Sequence, residues 1–247
     1  MRLLRDVYLT ASGRLGYDFT HAADCNAYLV DTGESLVLID SGAGLPADEL
    51  LDNVVSAGFA PEEVSHLLLT HLHADHSGGA QAIRSSTGAL VACCREAAPV
   101  LEERRADLID LPRAIAAGIY PYDYEWKGST VDMRLNDGQE LRIGRYRINV
   151  LYTPGHSSFD TSYLFDDGEG SSFLFSGDTV FAGGKISLLS TFDFQMQKLA
   201  SSIARLARMD FRALLPGHGP AALGNGALHV QAAARVFSRL GVPESIG

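Results

Sequence analysis

Short apolar runs recur along the chain, split by turn-forming residues, and between them lie segments with apolar positions spaced three and four apart. Residues 25–30 and 35–40, parted by Asp31-Thr32-Gly33-Glu34, predict a hairpin. Pro46 opens a helical stretch with Leu50, Leu51, Val54 and Val55 at helical spacing, and Gly58 closes it. Residues 65–70 (SHLLLT) are nearly all apolar, as a strand buried on both faces requires. A helix over 78–86 and a strand over 89–92 follow. Strands are predicted again at 140–143, 146–152, 161–165 and 173–176. The longest helical pattern covers 192–209, with Met196, Leu199, Ile203 and Leu206 on one face. A short strand at 213–215 and a helix at 227–240 close the chain. Two strand-rich halves with outer helices predict an α+β chain layered as α, β, β, α. No repeat or linker divides it, so 1–247 reads as a single domain.

Residues 95–128 stand apart as an insertion. They begin with the charged helical pattern of Glu102, Glu103, Arg104 and Arg105 and end in YPYDYEW, which sets Tyr120, Tyr122, Tyr124 and Trp126 at alternate positions. Alternation of aromatics fits an edge strand with one packed face. It also fits a lid that lines a site with rings.

Composition narrows the classes. With 20 basic and 30 acidic residues the net charge is −10, which argues against nucleic acid gathered through a general basic field. No apolar run reaches membrane-spanning length. Arg5 and Asp6 stand where a signal peptide needs its apolar stretch, and three cysteines (Cys25, Cys93, Cys94) cannot pair evenly. The expectation is a reduced, cytoplasmic compartment with no membrane partner.

The chemistry concentrates in Thr70-His71-Leu72-His73-Ala74-Asp75-His76-Ser77-Gly78-Gly79, where three histidines and an aspartate fall within six residues after an apolar strand. Imidazole and carboxylate are the donors that borderline dications such as zinc prefer. The same logic recurs after later strands, in Thr153-Pro154-Gly155-His156, Ser176-Gly177-Asp178 and Pro216-Gly217-His218-Gly219. In each, a glycine lets the backbone turn tightly just before the donor. Seven donors are too many for one tetrahedral ion and suit two ions that share a carboxylate.

The motifs HLHADH, TPGH, SGD and PGHG, in that order, with Asp40-Ser41-Gly42 ahead of them, resemble those of the metallo-β-lactamase superfamily. The resemblance implies a four-layer αββα sandwich with the site at one edge. It implies that His71, His73 and His156 bind a first metal, that Asp75, His76 and His218 bind a second, that Asp178 bridges them, and that Asp40 supports the ligands from behind. The implied cofactor is two divalent ions, zinc first, with iron or manganese as alternatives. A hydroxide between them would attack a small ester, lactone, thioester or amide, with Asp75 and Asp178 as the carboxylates at the reacting centre.

Departures from individual branches of the family refine this. True zinc β-lactamases usually carry Cys or Ser where this chain has Asp178, and are exported. Acyl-homoserine lactonases, one alternative, typically have a Tyr where this chain has Phe181, a position that would face substrate along with Tyr120, Tyr122, Tyr124 and Trp126. Only 29 residues follow His218, short of the helical domain of long glyoxalase II forms. The other alternative is a mononuclear iron persulfide dioxygenase, whose two His and one Asp correspond to His71, His156 and Asp178.

Overall fold

The computed structural model describes residues 1–46 and 48–246. The chain divides into two compact units, Met1–Leu135 and Asn136–Gly247, each built around one mixed sheet.

In the first unit, strands β1 (Val7–Ala11), β2 (Ala27–Asp31) and β3 (Leu36–Ile39) pair antiparallel. The β2–β3 hairpin is the one expected from the apolar runs around Gly33. Helix α1 (Asp48–Ser56) buries Leu50 and Val54, four residues apart on one face, and carries Asp48 and Glu49 in its first turn, where negative charge suits the helix dipole. Strands β4 (Val64–Leu68) and β5 (Leu90–Cys94) then add in parallel. Between them lie helices α2 (Ala74–Ser77) and α3 (Ala80–Thr87). The turn α2 falls inside the first donor cluster, so Asp75 and His76 are helical.

The insertion also differs from expectation. Helix α4 (Ala98–Glu102) stops before Glu103, and Arg104 has a left-handed backbone (φ 57°), so the charged run caps the helix instead of forming it. A 3-10 turn and helix α5 (Leu111–Ala116) follow. Residues 120–126 form no strand. Tyr124 N–H bonds Pro121 O at 3.0 Å, closing a turn that breaks the alternation, and Pro121 has no N–H to offer a ladder. Tyr120 and Trp126 are buried, whereas Tyr122 is 92% exposed. The short strand β6 (Met133–Leu135) completes the order β1-β2-β3-β4-β5-β6.

The second unit reads closely from sequence. Strands β7 (Glu140–Ile143), β8 (Tyr146–Tyr152), β9 (Thr161–Asp166) and β10 (Ser172–Gly177) form an antiparallel meander. Alternation in β7 and β8 buries Leu141, Ile143, Tyr146, Ile148 and Val150, and the rings of Tyr146, Phe165, Phe173 and Phe175 pack at centroid distances of 5.2–5.7 Å. Helix α6 (Met196–Leu206) begins four residues later than its apolar pattern suggests. Gln195 is extended because its N–H is held by Gly155 O at 2.8 Å. Strand β11 (Ala213–Pro216) pairs in parallel with β10, and helix α7 (Gly226–Ser238) closes the unit. Leu199, Ile203 and Leu206 of α6 and Val230 and Ala233 of α7 join Leu174 and Leu214 in one core. Among the described residues no helix is long and apolar enough to cross a membrane.

Candidate metal centre

In the first unit the donors stand at the carboxyl end of β4, where the chain leaves the sheet and turns into α2. His71 Nε2 lies 3.1 Å from His73 Nδ1, and His76 Nε2 lies 3.5 Å from Asp75 Oδ2. Behind them sits Asp40, at the end of β3, fully buried and in a left-handed backbone conformation (φ 62°) that non-glycine residues rarely adopt. Asp40 accepts three hydrogen bonds, from Thr70 N–H at 2.7 Å, from the Thr70 hydroxyl at 2.7 Å and from His76 Nδ1 at 2.8 Å.

These bonds select tautomers. A carboxylate only accepts, so His76 carries a proton on Nδ1, and its Nε2 is turned toward Asp75. The Thr70 hydroxyl has spent its proton on Asp40, so toward His71 Nδ1 at 3.1 Å it accepts. His71 is thereby left with Nε2 as the lone-pair nitrogen. A histidine fixed through one nitrogen and turned by it toward a cluster of other donors is the usual arrangement of a metal ligand. Thr70 was missed by sequence reasoning, although it opens the donor motif. Ser41 adds a further tie, with its N–H and hydroxyl both bonded to His76 O at 2.8 Å.

The aromatic residues of the insertion divide. Asp75 N–H donates to the Tyr120 hydroxyl at 3.0 Å, and that hydroxyl donates to Asp75 Oδ1 at 3.1 Å. Burial and the neighbouring Asp75 charge hold the phenol protonated, well above its ordinary range. Trp126 Nε1 donates to Ser77 Oγ at 3.0 Å, and Tyr124 donates to Ala43 O at 2.8 Å. Tyr124 also lines a groove of about 260 Å³ with Gly44, Gly78, Ala82, Asp123 and Lys127. Cys25 is fully buried beside His76, and desolvation pushes its thiol up to about 12, so it stays protonated.

In the second unit three strand ends supply donors: His156 after β8, Asp178 after β10 and His218 after β11. Asp178 Oδ2 lies 3.5 Å from His156 Nε2 and 3.4 Å from His218 Nε2, and all three residues are buried. Gly155 has φ 145°, and a Cβ there would lie 2.2 Å from Leu199 N, so the turn that presents His156 requires glycine. Asp160 accepts Ser157 N–H and the Ser157 hydroxyl, both at 2.7 Å, and ties the chain just after His156. Burial first, then the charges of Asp178 and Asp193, raise its carboxyl to about 8. Phe181 is fully buried with its ring 6.4 Å from His218.

The donor chemistry fits a borderline dication. At zinc–ligand bonds of about 2.0–2.1 Å, donors on a tetrahedron stand about 3.3–3.4 Å apart. The four nitrogen–nitrogen and nitrogen–oxygen separations within the two units, 3.1, 3.5, 3.5 and 3.4 Å, cluster around that value.

Residues 22–218 match a family model described as metallo-beta-lactamase superfamily. An atrochrysone carboxyl ACP thioesterase of Aspergillus fumigatus is 30% identical over 200 residues, 79% of this chain and 39% of that protein. The chain spans about half or less of the length of the curated relatives it matches. A solved B3 metallo-beta-lactamase with an active-site glutamic acid is similar at TM-score 0.70 and 25% identity, covering 96% of this chain and 88% of that one. A Cronobacter sakazakii metallo-beta-lactamase with a HARLDQ motif is similar at TM-score 0.72 and 18% identity, covering 97% and 96%. The α+β sandwich fold expected from the motifs is therefore the fold of this chain.

Proposed function

The chain belongs to the metallo-β-lactamase superfamily, and from that membership we propose that it is a binuclear metal-dependent hydrolase of a small acyl thioester, with esters, lactones and amides as the related bonds. The observation that carries the reading is the pair of donor sets, His71, His73, Asp75 and His76 in one unit and His156, Asp178 and His218 in the other, at ligand-like separations within each. By the resemblance to the family's motifs, His71, His73 and His156 would hold one ion, Asp75, His76 and His218 would hold the other, and Asp178 would serve both. When bound, two such dications supply an activated water near neutral pH and Lewis-acid polarisation of the scissile carbonyl.

The protein's own residues prepare that chemistry. Asp40 and Thr70 hold His76 and His71 through Nδ1 and turn Nε2 of each toward the donor cluster. Asp178 offers its second oxygen while Oδ2 stands near both His156 and His218. A thioester is preferred among the possible bonds because a relative 30% identical over 200 residues carries the name of an ACP thioesterase. The single catalytic domain of 1–247, the cytoplasmic setting and the small-molecule substrate belong to this same proposal.

A hydrolysis screen of zinc-loaded protein tests it. Acyl thioesters should release free thiol and carboxylate faster than a lactone or a β-lactam is opened, and chelation should stop turnover reversibly. Oxygen consumption on a persulfide with no thiol released from thioesters would establish the dioxygenase alternative instead.

A further inference from the structure

The first unit contains a reciprocal pair that the metal motif does not account for. Tyr120 lies 45 residues beyond Asp75 in sequence, yet its hydroxyl accepts Asp75 N–H at 3.0 Å and donates to Asp75 Oδ1 at 3.1 Å. A phenol has one proton to give, and here it is spent on one oxygen of the carboxylate. The other oxygen, Oδ2, is left on the side of His76 Nε2, 3.5 Å away. Backbone and side chain of Asp75 are gripped by the same atom, so the carboxylate cannot rotate without breaking the hydrogen bond from Tyr120.

The grip is itself anchored. Tyr120 is 7% exposed and its ring stacks on Tyr124 at a centroid distance of 4.9 Å. Tyr124 donates to Ala43 O, two residues past Ser41, which holds His76 O. On the other side Trp126 Nε1 holds Ser77 Oγ, and that hydroxyl donates to Leu72 O at 2.8 Å. The segment 120–126 thus fastens the donor loop on both sides of Asp75. With its hydroxyl engaged twice and its ring buried, Tyr120 has no face to offer a substrate.

We propose that Tyr120 is a positioning residue for Asp75, holding Asp75 Oδ1 so that Oδ2 is set for the metal shared with His76. The inference rests on the assignment of Asp75 as a ligand made above. It converts the tyrosine at the end of the insertion from a substrate contact into part of the metal centre's support.

Tyr120→Phe keeps the ring and removes only the hydroxyl. Zinc affinities of the stripped protein, measured by competition with a chromophoric chelator, should show one of two equivalents weakened by about 10- to 100-fold, as loss of a ligand's hydrogen-bond partner typically does. The other equivalent should stay within about 2-fold. Tyr124→Phe, which keeps the stacked ring and cuts only the bond to Ala43, should weaken zinc binding by less than Tyr120→Phe does. In an Asp75→Asn background, Tyr120→Phe should have no further effect on zinc, whereas a purely structural role would persist there and lower the melting temperature of the stripped protein. Unchanged zinc binding in Tyr120→Phe beside a loss in Asp75→Asn would overturn the positioning role alone. Unchanged binding in Asp75→Asn would overturn the ligand assignment and this inference with it.

Discussion

Asp40 concentrates more of the centre's organisation than any ligand. It has a left-handed backbone and satisfies three donors, two of them on Thr70 and the third on His76. Asp40→Ala should leave Thr70 N–H and His76 Nδ1 without their acceptor, at a cost of about 1–3 kcal/mol for each buried group. Urea denaturation of stripped protein should show that loss, and metal affinity should fall by about 10- to 100-fold. Gly155 is equally constrained. Because a Cβ would meet Leu199 N at 2.2 Å, Gly155→Ala should lower the melting temperature and reduce metal retention together. Asp160 makes a prediction about pH. Its carboxyl is raised to about 8 in the folded chain against about 3.9 unfolded, so between those values the folded state binds more protons. Stability of the stripped protein should therefore fall as pH rises from about 4 to about 8. Asp160→Asn should flatten that slope in a series of denaturation curves.

At the scale of elements, the insertion is where pattern and structure part. Tyr120, Tyr122, Tyr124 and Trp126 look equivalent as alternating aromatics, but the turn at Pro121 gives them different neighbours. Trp126→Ala should cost about 3–5 kcal/mol, as loss of a buried large ring does. Tyr122→Ala, at a 92% exposed position, should change stability by no more than about 0.5 kcal/mol. Any kinetic effect of Tyr122→Ala would then report on substrate and not on folding. The strands of the second unit were legible because β7 and β8 alternate cleanly, and because β9 and β10 are short apolar runs bounded by turns. Strand β1 was not, since VYLTA has no period of its own and is fixed by antiparallel pairing with β2. Strand β6 is three residues held by parallel pairing to β5. The donors were readable because each sits in a dense local motif after a strand. The bond from Tyr120 to Asp75 was not, because it joins residues 45 apart that no spacing rule connects.

For the whole molecule, the two units contribute different donors, four histidine and aspartate side chains from Met1–Leu135 and three from Asn136–Gly247. Each unit carries its own set of proposed metal donors, so stripping metal should lower the melting temperature more than any single surface change. Asp178→Ala should deplete both ions and nearly abolish turnover, whereas His218→Ala should chiefly deplete the second. The most direct test of the central claim is the metal content of the purified protein, taken by elemental analysis alongside the rate of thioester hydrolysis. About two equivalents of zinc or another first-row dication per chain, lost and regained in step with hydrolysis, is the predicted result. A single tightly held iron, with oxygen consumed on a persulfide and no thioester cleaved, would contradict it.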